Sequence, residues 1–131
     1  MGSKSNEFET LMLDHIFDTP AYTQPTLYVA LTTGALTETC TGGTLANEVT
    51  GGAYARKSCA TWTVSGGTAS NGVAVTFVQA TAAWGTIDCW ALCDHLTTGN
   101  VLYYGTLTTS KAIGTSDQAK FATGDIDVTE A

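Results

Sequence analysis

Apolar positions recur along this chain at two different periods, and the change of period divides it. Between residues 8 and 16 they fall at Phe8, Leu11, Met12 and Ile16, with His15 in the same stripe, which is the spacing of one helix face. Asn6 followed by Glu9 has the form of a helix start, a side-chain cap with a carboxylate reaching back. Asp18-Thr19-Pro20 has the form of its end. Residues 1–18 are therefore predicted to hold one short amphipathic helix, whose stripe must be covered by the remaining fold or by a neighbouring subunit.

Beyond a loop at Tyr22 to Pro25 the helical spacing disappears and short strand signals take over. Thr26 to Leu31 is apolar enough for a central strand. Ala53–Val64, Thr68–Asn71, Val73–Phe77, Trp84–Leu92, Val101–Leu107, Ala119–Phe121 and Asp125–Val128 follow, separated by Gly, Ser, Thr and Asn turns. Gly99-Asn100 lies in a hairpin loop and Gly124 marks a break or bulge. The prediction is a mainly β protein, a β-sandwich of jelly-roll or immunoglobulin-like kind with a short N-terminal α-helix. It forms a single domain over 1–131, with the sandwich over 25–128. Within it, residues 33–52 carry weak strand signals and five glycines. A loop of that length in a compact domain is either ordered by a partner or functional.

Composition sharpens this picture. Threonine takes 25 of 131 positions and charged residues only 13%, so the polar faces of the sheets are hydroxylated rather than ionic. The net charge of −7 rests on twelve acidic against five basic residues. Only Arg56 and Lys57 are adjacent, and on a strand they would point to opposite faces. No basic stripe is present to neutralise phosphates, and no polybasic membrane anchor, so neither direct nucleic-acid binding nor membrane attachment is expected. The sequence also shows no 18-residue apolar run and no apolar segment after Lys4 of the kind a secretory signal requires. Folding in a reducing cytoplasm is the expectation.

Candidate chemistry is sparse. Cys40, Cys59, Cys89 and Cys93 lack the close spacing of zinc ligands, and small buried hydrophobes are the expected role. On a strand Cys89, Ala91 and Cys93 share one face while Trp90 and Leu92 share the other, too far apart for Cys89 to bond Cys93. A Cys40–Cys59 bridge is allowed but not demanded. Cys93-Asp94-His95 sets a thiol, a carboxylate and an imidazole side by side, yet sequence neighbours rarely face one another, and a strand running into a hairpin loop explains them as well. Asp125 and Asp127 are expected on one strand face and Asp88 stands alone, without a pattern that singles out an acid and a nucleophile. Trp62, Trp84 and Trp90 suit a sandwich core better than a sugar-stacking platform. No catalytic, metal or cofactor residues are assigned, and an enzyme is not expected.

Several motifs together resemble a known family. Gly-Gly-Ala-Tyr-Ala-Arg (Gly51 to Arg56), Ser-Gly-Gly-Thr-Ala-Ser-Asn (Ser65 to Asn71), Val-Thr-Phe (Val75 to Phe77) and Ala-Ala-Trp-Gly-Thr-Ile (Ala82 to Ile87) are similar to segments of small tailed-bacteriophage virion proteins. Gly99 to Leu107, Gly124 to Val128 and the opening helix before Leu-Tyr-Val-Ala-Leu match as well. The resemblance implies a structural part of the virion, a capsid cement or decoration protein or a so-called tail-fibre-like protein.

Small size, low charge density, a helix and a long loop lead to a first expectation. It is a capsid cement protein on the capsid surface, a homotrimer bridging major capsid protein subunits, with multivalent sites adding up across the shell. Phe8, Leu11 and Ile16 of the helix and Leu36, Leu45 and Val49 of the loop are its contact candidates. The alternative is a tail-fibre or baseplate module that binds host surface carbohydrate through an exposed tryptophan or tyrosine.

Overall fold

The computed structural model describes residues 2–17 and 24–129. Among these are one helix and ten strands. The largest sheet has five strands in the order β1 (Ser3–Lys4), β8 (Val101–Ile113), β7 (Gly85–Cys93), β2 (Leu27–Thr32) and β3 (Lys57–Cys59). A three-stranded sheet runs β10 (Asp127–Thr129), β5 (Thr68–Asn71), β4 (Trp62–Ser65), and β6 (Val75–Thr76) pairs with β9 (Lys120–Phe121). All of these pairings are antiparallel.

One core joins the layers. Val29, Leu31, Ile87, Trp90 and Leu92 from the five-stranded sheet pack in a single cluster with Val75, Phe77, Phe121, Ile126 and Val128 from the smaller sheets and their connections. The arrangement is sandwich-like, with its second layer split in two. Within the core, Phe77 stands edge-on to Trp84 at 6.3 Å, and Tyr54 meets Trp84 at 5.4 Å and 88°, the T-shaped geometry that aromatic quadrupoles favour. Trp90 fits only because Gly105 faces it, since a Cβ there would stand 2.5 Å from the indole.

The opposite face of the five-stranded sheet is also covered, and this determines the role of the long loop. Ala30, Ala91 and Cys93 point away from the main core and pack with Cys40, Leu45 and Val101. Of the predicted face Cys89, Ala91 and Cys93, the last two pack together, with Trp90 and Leu92 on the other side, while Cys89, at the register shift, is buried but joins neither cluster. Residues 33–52 thus form an irregular third layer. Burying β2 on both sides explains its run of four fully buried residues from Val29 to Thr32.

Several boundaries differ from the sequence reading. Ala53–Val64 is not one strand. The chain leaves the large sheet at Cys59 and enters the three-stranded sheet at Trp62, a corner held by the Trp62 indole N–H donating to the Cys59 carbonyl at 2.9 Å. β8 runs six residues past the expected Leu107. The helix, α1, spans Asn6–Phe17 and its cap is Ser5 rather than Asn6, because Ser5 Oγ accepts the Phe8 N–H at 3.2 Å. Residues 2–4 are extended, with Ser3 and Lys4 pairing to Tyr104 and Tyr103. The expected helix end at Asp18-Thr19-Pro20 lies outside the described residues.

Candidate functional site

Helix α1 is anchored at its start, and its end is left uncovered by the described residues. Ser5 is fully buried and its hydroxyl donates to the Val101 carbonyl. Glu7 Oε2 accepts the Val101 N–H at 2.7 Å and the Gly42 N–H at 3.2 Å, tying the first turn to β8 and to the long loop. Phe8 packs edge-on against Tyr103 with centroids 5.0 Å apart. None of the helix residues is buried, and Leu13, Ile16 and Phe17 are 57%, 68% and 79% exposed.

Beside the helix lies an apolar groove of about 420 Å³. Phe8, Leu27, Trp62, Val64, Leu102 and Tyr103 are among its walls, and Val64 is 74% exposed. The flanking β4 is an edge strand carrying no charged residue, and its other side is free of a ladder partner among the described strands. Soluble proteins usually protect such edges with charge, proline or a bulge.

The six contact candidates therefore divide. Phe8 lines the groove, Leu11 is half-buried on the helix and Ile16 projects from it. Leu36 packs half-buried against the cluster beneath the long loop. Leu45 and Val49 face inward, 8% and 4% exposed, Leu45 into that cluster and Val49 into the main core. The structure brings only Phe8 of the helix three to the groove, leaves Leu11 and Ile16 elsewhere on α1, and buries these two loop residues in the interior.

The loop is positioned by a residue that the sequence reading passed over. Arg56 is buried, and all five of its guanidinium N–H donors find acceptors. Nε and Nη2 make a bidentate pair with Glu48 at 2.7 and 3.0 Å. Nη1 donates to the carbonyls of His95 and Thr98, each at 3.0 Å, and Nη2 also donates to that of Gly42 at 3.0 Å. Tyr54 completes the group, its hydroxyl donating to Glu48 at 2.9 Å while accepting the Leu31 N–H at 3.0 Å. Burial pushes the Tyr54 phenol far up, so it remains a donor. Burial alone would lower the Arg56 pKa, but the hydrogen bond to Glu48 and the Glu48 charge oppose it, and the net direction is upward. The Gly-Gly-Ala-Tyr-Ala-Arg motif is thus a brace for two loops. A lone arginine behind a Gly-Gly turn, eight residues after a glutamate, was the available signal.

Other sequence candidates settle into structural roles. Cys93 is fully buried, and burial pushes its thiol up to about 12, while burial first and Glu7 second raise Cys40 to about 11. Thiols so raised are protonated at neutral pH and poor nucleophiles. His95 Nδ1 accepts the N–H groups of Thr97 and Thr98, each at 3.1 Å, and Asp94 accepts the Asn100 N–H at 2.7 Å. Cys93-Asp94-His95 is a strand end entering a stapled hairpin loop, as the plainer reading had it. All four cysteines are free, so Cys40 and Cys59 are not bridged. Asp125 lies in a turn outside β10, its carboxylate accepting the Ala122 N–H at 2.9 Å, and Asp88 accepts from the Ser110 hydroxyl at 2.6 Å. Trp84 and Trp90 are buried, and Trp62 is half-buried at the groove. Among the described residues no helix is long and apolar enough to cross a membrane.

The family model described as Podophage GP4 fiber I protein gp80 matches residues 3–129. No curated protein matches the chain significantly.

Proposed function

The chain belongs to the podophage GP4 fiber I protein gp80 family of phage structural proteins, and from that premise we propose that it is a non-enzymatic subunit of the tail fibre, assembled through helix α1 and the apolar groove and serving to engage the host surface. The observations that carry the assembly surface are the exposed apolar residues at the end of α1 and, separately, the apolar groove at its start. Leu13, Ile16 and Phe17 would gain from leaving water, at about 25 cal/mol for each Å² of apolar surface buried. Exposed apolar patches of this kind mark contact surfaces.

Phe8 in the groove and Phe17 at the helix end stand nine residues apart, roughly 14 Å along the helix axis. They form two different patches, not one self-complementary patch. Insertion of one copy's helix end into the next copy's groove is a heterologous contact, which closes into a ring when its rotation allows. A homotrimer built this way is part of the proposal. The family description favours the fibre over the capsid surface expected from sequence features, and the inward turn of Leu45 and Val49 removes two of the residues on which the cement reading leaned.

The two deeply buried thiols and the hydrogen-bonded His95 support a non-enzymatic role. Immunogold labelling of intact virions tests the location. Label on the tail fibres is expected. Label spread over the head would overturn the fibre assignment and restore the cement role with the major capsid protein as partner.

A further inference from the structure

A second cavity, larger and chemically unlike the groove, opens between the distal arm of β8 and the segment from Gln118 to Asp127. Its volume is about 600 Å³, within the range of small-ligand sites. Its wall arises from an irregularity in the longest strand. Ile87 to Cys89 is two steps along β7, yet the residues facing them on β8, Lys111 and Thr106, are five steps apart. The three surplus residues bulge, and Leu107, Thr108 and Thr109 line the cavity. Asp88 bonded to the Ser110 hydroxyl at 2.6 Å pins the bulge. Bulges of this kind commonly re-aim side chains beside a site.

Two of the polar side chains at the rim, Asp125 and Gln118, are each held by one hydrogen bond, and the rim as a whole is open to water. Asp125 Oδ2 accepts the Ala122 N–H at 2.9 Å and Gln118 Nε2 donates to the Phe77 carbonyl at 3.0 Å. Their second oxygens, Asp125 Oδ1 and Gln118 Oε1, have no partner among the described residues. The same holds for the ammonium groups of Lys111 and Lys120, two of only five basic residues in the chain. Beneath them lie Ile87, Trp90 and Phe121, all at least nine-tenths buried, so the floor is apolar.

Two lysines and two aspartates are among the lining residues, so the lining is close to neutral in a chain of net charge −7. An anionic ligand would approach against that overall field. Fixed carbonyl and carboxylate acceptors, ammonium donors and threonine hydroxyls over an apolar floor instead match a ring with hydroxyl groups on its rim and C–H groups on one face. We propose that this cavity binds a neutral saccharide unit. Its source as a host surface glycan rests on the fibre reading, whereas the binding itself does not.

Saturation-transfer NMR and titration of the full chain test it, with a panel of neutral trisaccharides built from glucose, galactose, mannose and rhamnose. At least one member is expected to receive saturation. Lys111→Ala with Lys120→Ala, and separately Thr108→Trp to fill the cavity, should each weaken binding at least tenfold without changing the melting temperature. Val64→Ser in the apolar groove should leave binding unchanged. Absence of transfer to every trisaccharide, or affinity retained in both cavity variants, would overturn the proposal. Saccharide binding by a protein whose antibody labels the head would refute the fibre reading and leave the site standing. Fibre label without saccharide binding would do the reverse.

Discussion

Replacing Arg56 by Met tests whether the brace holds the fold together. The substitution keeps most of the side-chain volume and removes five hydrogen bonds at once: two to Glu48 and one each to the carbonyls of Gly42, His95 and Thr98. Removing one partner of a buried ion pair typically costs about 3–5 kcal/mol. Glu48 keeps some access to water, 19% against 2% for Arg56, so the lower end of that range applies, about 3 kcal/mol. With a urea slope near 2 kcal/mol/M, the denaturation midpoint should fall by about 1.5 M. For a chain of 131 residues the melting temperature should fall by roughly 10–15 °C. Arg56→Lys keeps the charge but offers three donors in place of a planar fork, and should lose roughly half as much stability. Tryptophan fluorescence during urea unfolding reads both variants, with exposed Lys57→Met as a control expected to change by less than about 0.5 kcal/mol. An Arg56→Met midpoint within 0.5 M of the parent, or Arg56→Lys behaving as the parent, would refute the brace.

Three further outcomes are expected. Leu13→Ser, Ile16→Ser and Phe17→Ser combined should leave the monomer's thermal melt within about 1 kcal/mol of the parent while abolishing self-association in sedimentation velocity; a large loss of fold stability would show that this face is already covered within the chain. Gly99→Ala should cost about 1–3 kcal/mol in urea unfolding, because residue 99 has φ +77° and a Cβ there would stand 2.3 Å from Asp94 Oδ1; an unchanged midpoint would contradict the stapled loop. Cys93 is raised from 9.0 to about 12 on folding, so its contribution is complete below pH 9 and is lost as pH climbs towards 12, by up to about 1.4 kcal/mol per pH unit. Urea midpoints that stay flat between pH 9 and 11 would argue against a buried thiol, as would alkylation of native Cys93 by iodoacetamide at pH 8.

What could be read from the sequence followed the range of the interactions. The helix was legible because Phe8, Leu11, Met12 and Ile16 mark its face locally. Its cap was misplaced by one residue because Ser5 is chosen by a bond to Val101, far along the chain. The faces of β7 were legible because alternation is a property of a single strand, as was the central place of β2. The corner between Cys59 and Trp62 was not, since β-rich residues continue through it and only the partner sheets reveal the change. The distal arm of β8 escaped because Thr108, Thr109 and Ser110 carry no apolar alternation. The loop 33–52 was recognised as needing something to order it, but the agent is Arg56 and the second face of the sheet. Glycine content conveys flexibility and says nothing of the buried cysteine and leucine that pin the loop from beneath. The cavity beneath the β8 bulge could not be found from sequence at all, because its polar groups become neighbours only when Lys111 and Asp125 are folded together.

The brace at Arg56 has a consequence for how this surface can diversify. Three of its five bonds end on main-chain carbonyls, those of Gly42, His95 and Thr98. Backbone atoms are common to every residue type, so at positions 95 and 98 the brace grips the path of the chain and ignores the letters written on it. Gly42 is the exception, since a Cβ there would meet the Gly99 carbonyl at 2.6 Å. Around that fixed glycine, exposed loop positions such as Leu96 and Thr97 are free to change while the loop keeps its course. A lineage under pressure to alter its outer face could therefore rewrite these residues one at a time, with Arg56, Glu48 and Tyr54 unchanged beneath them.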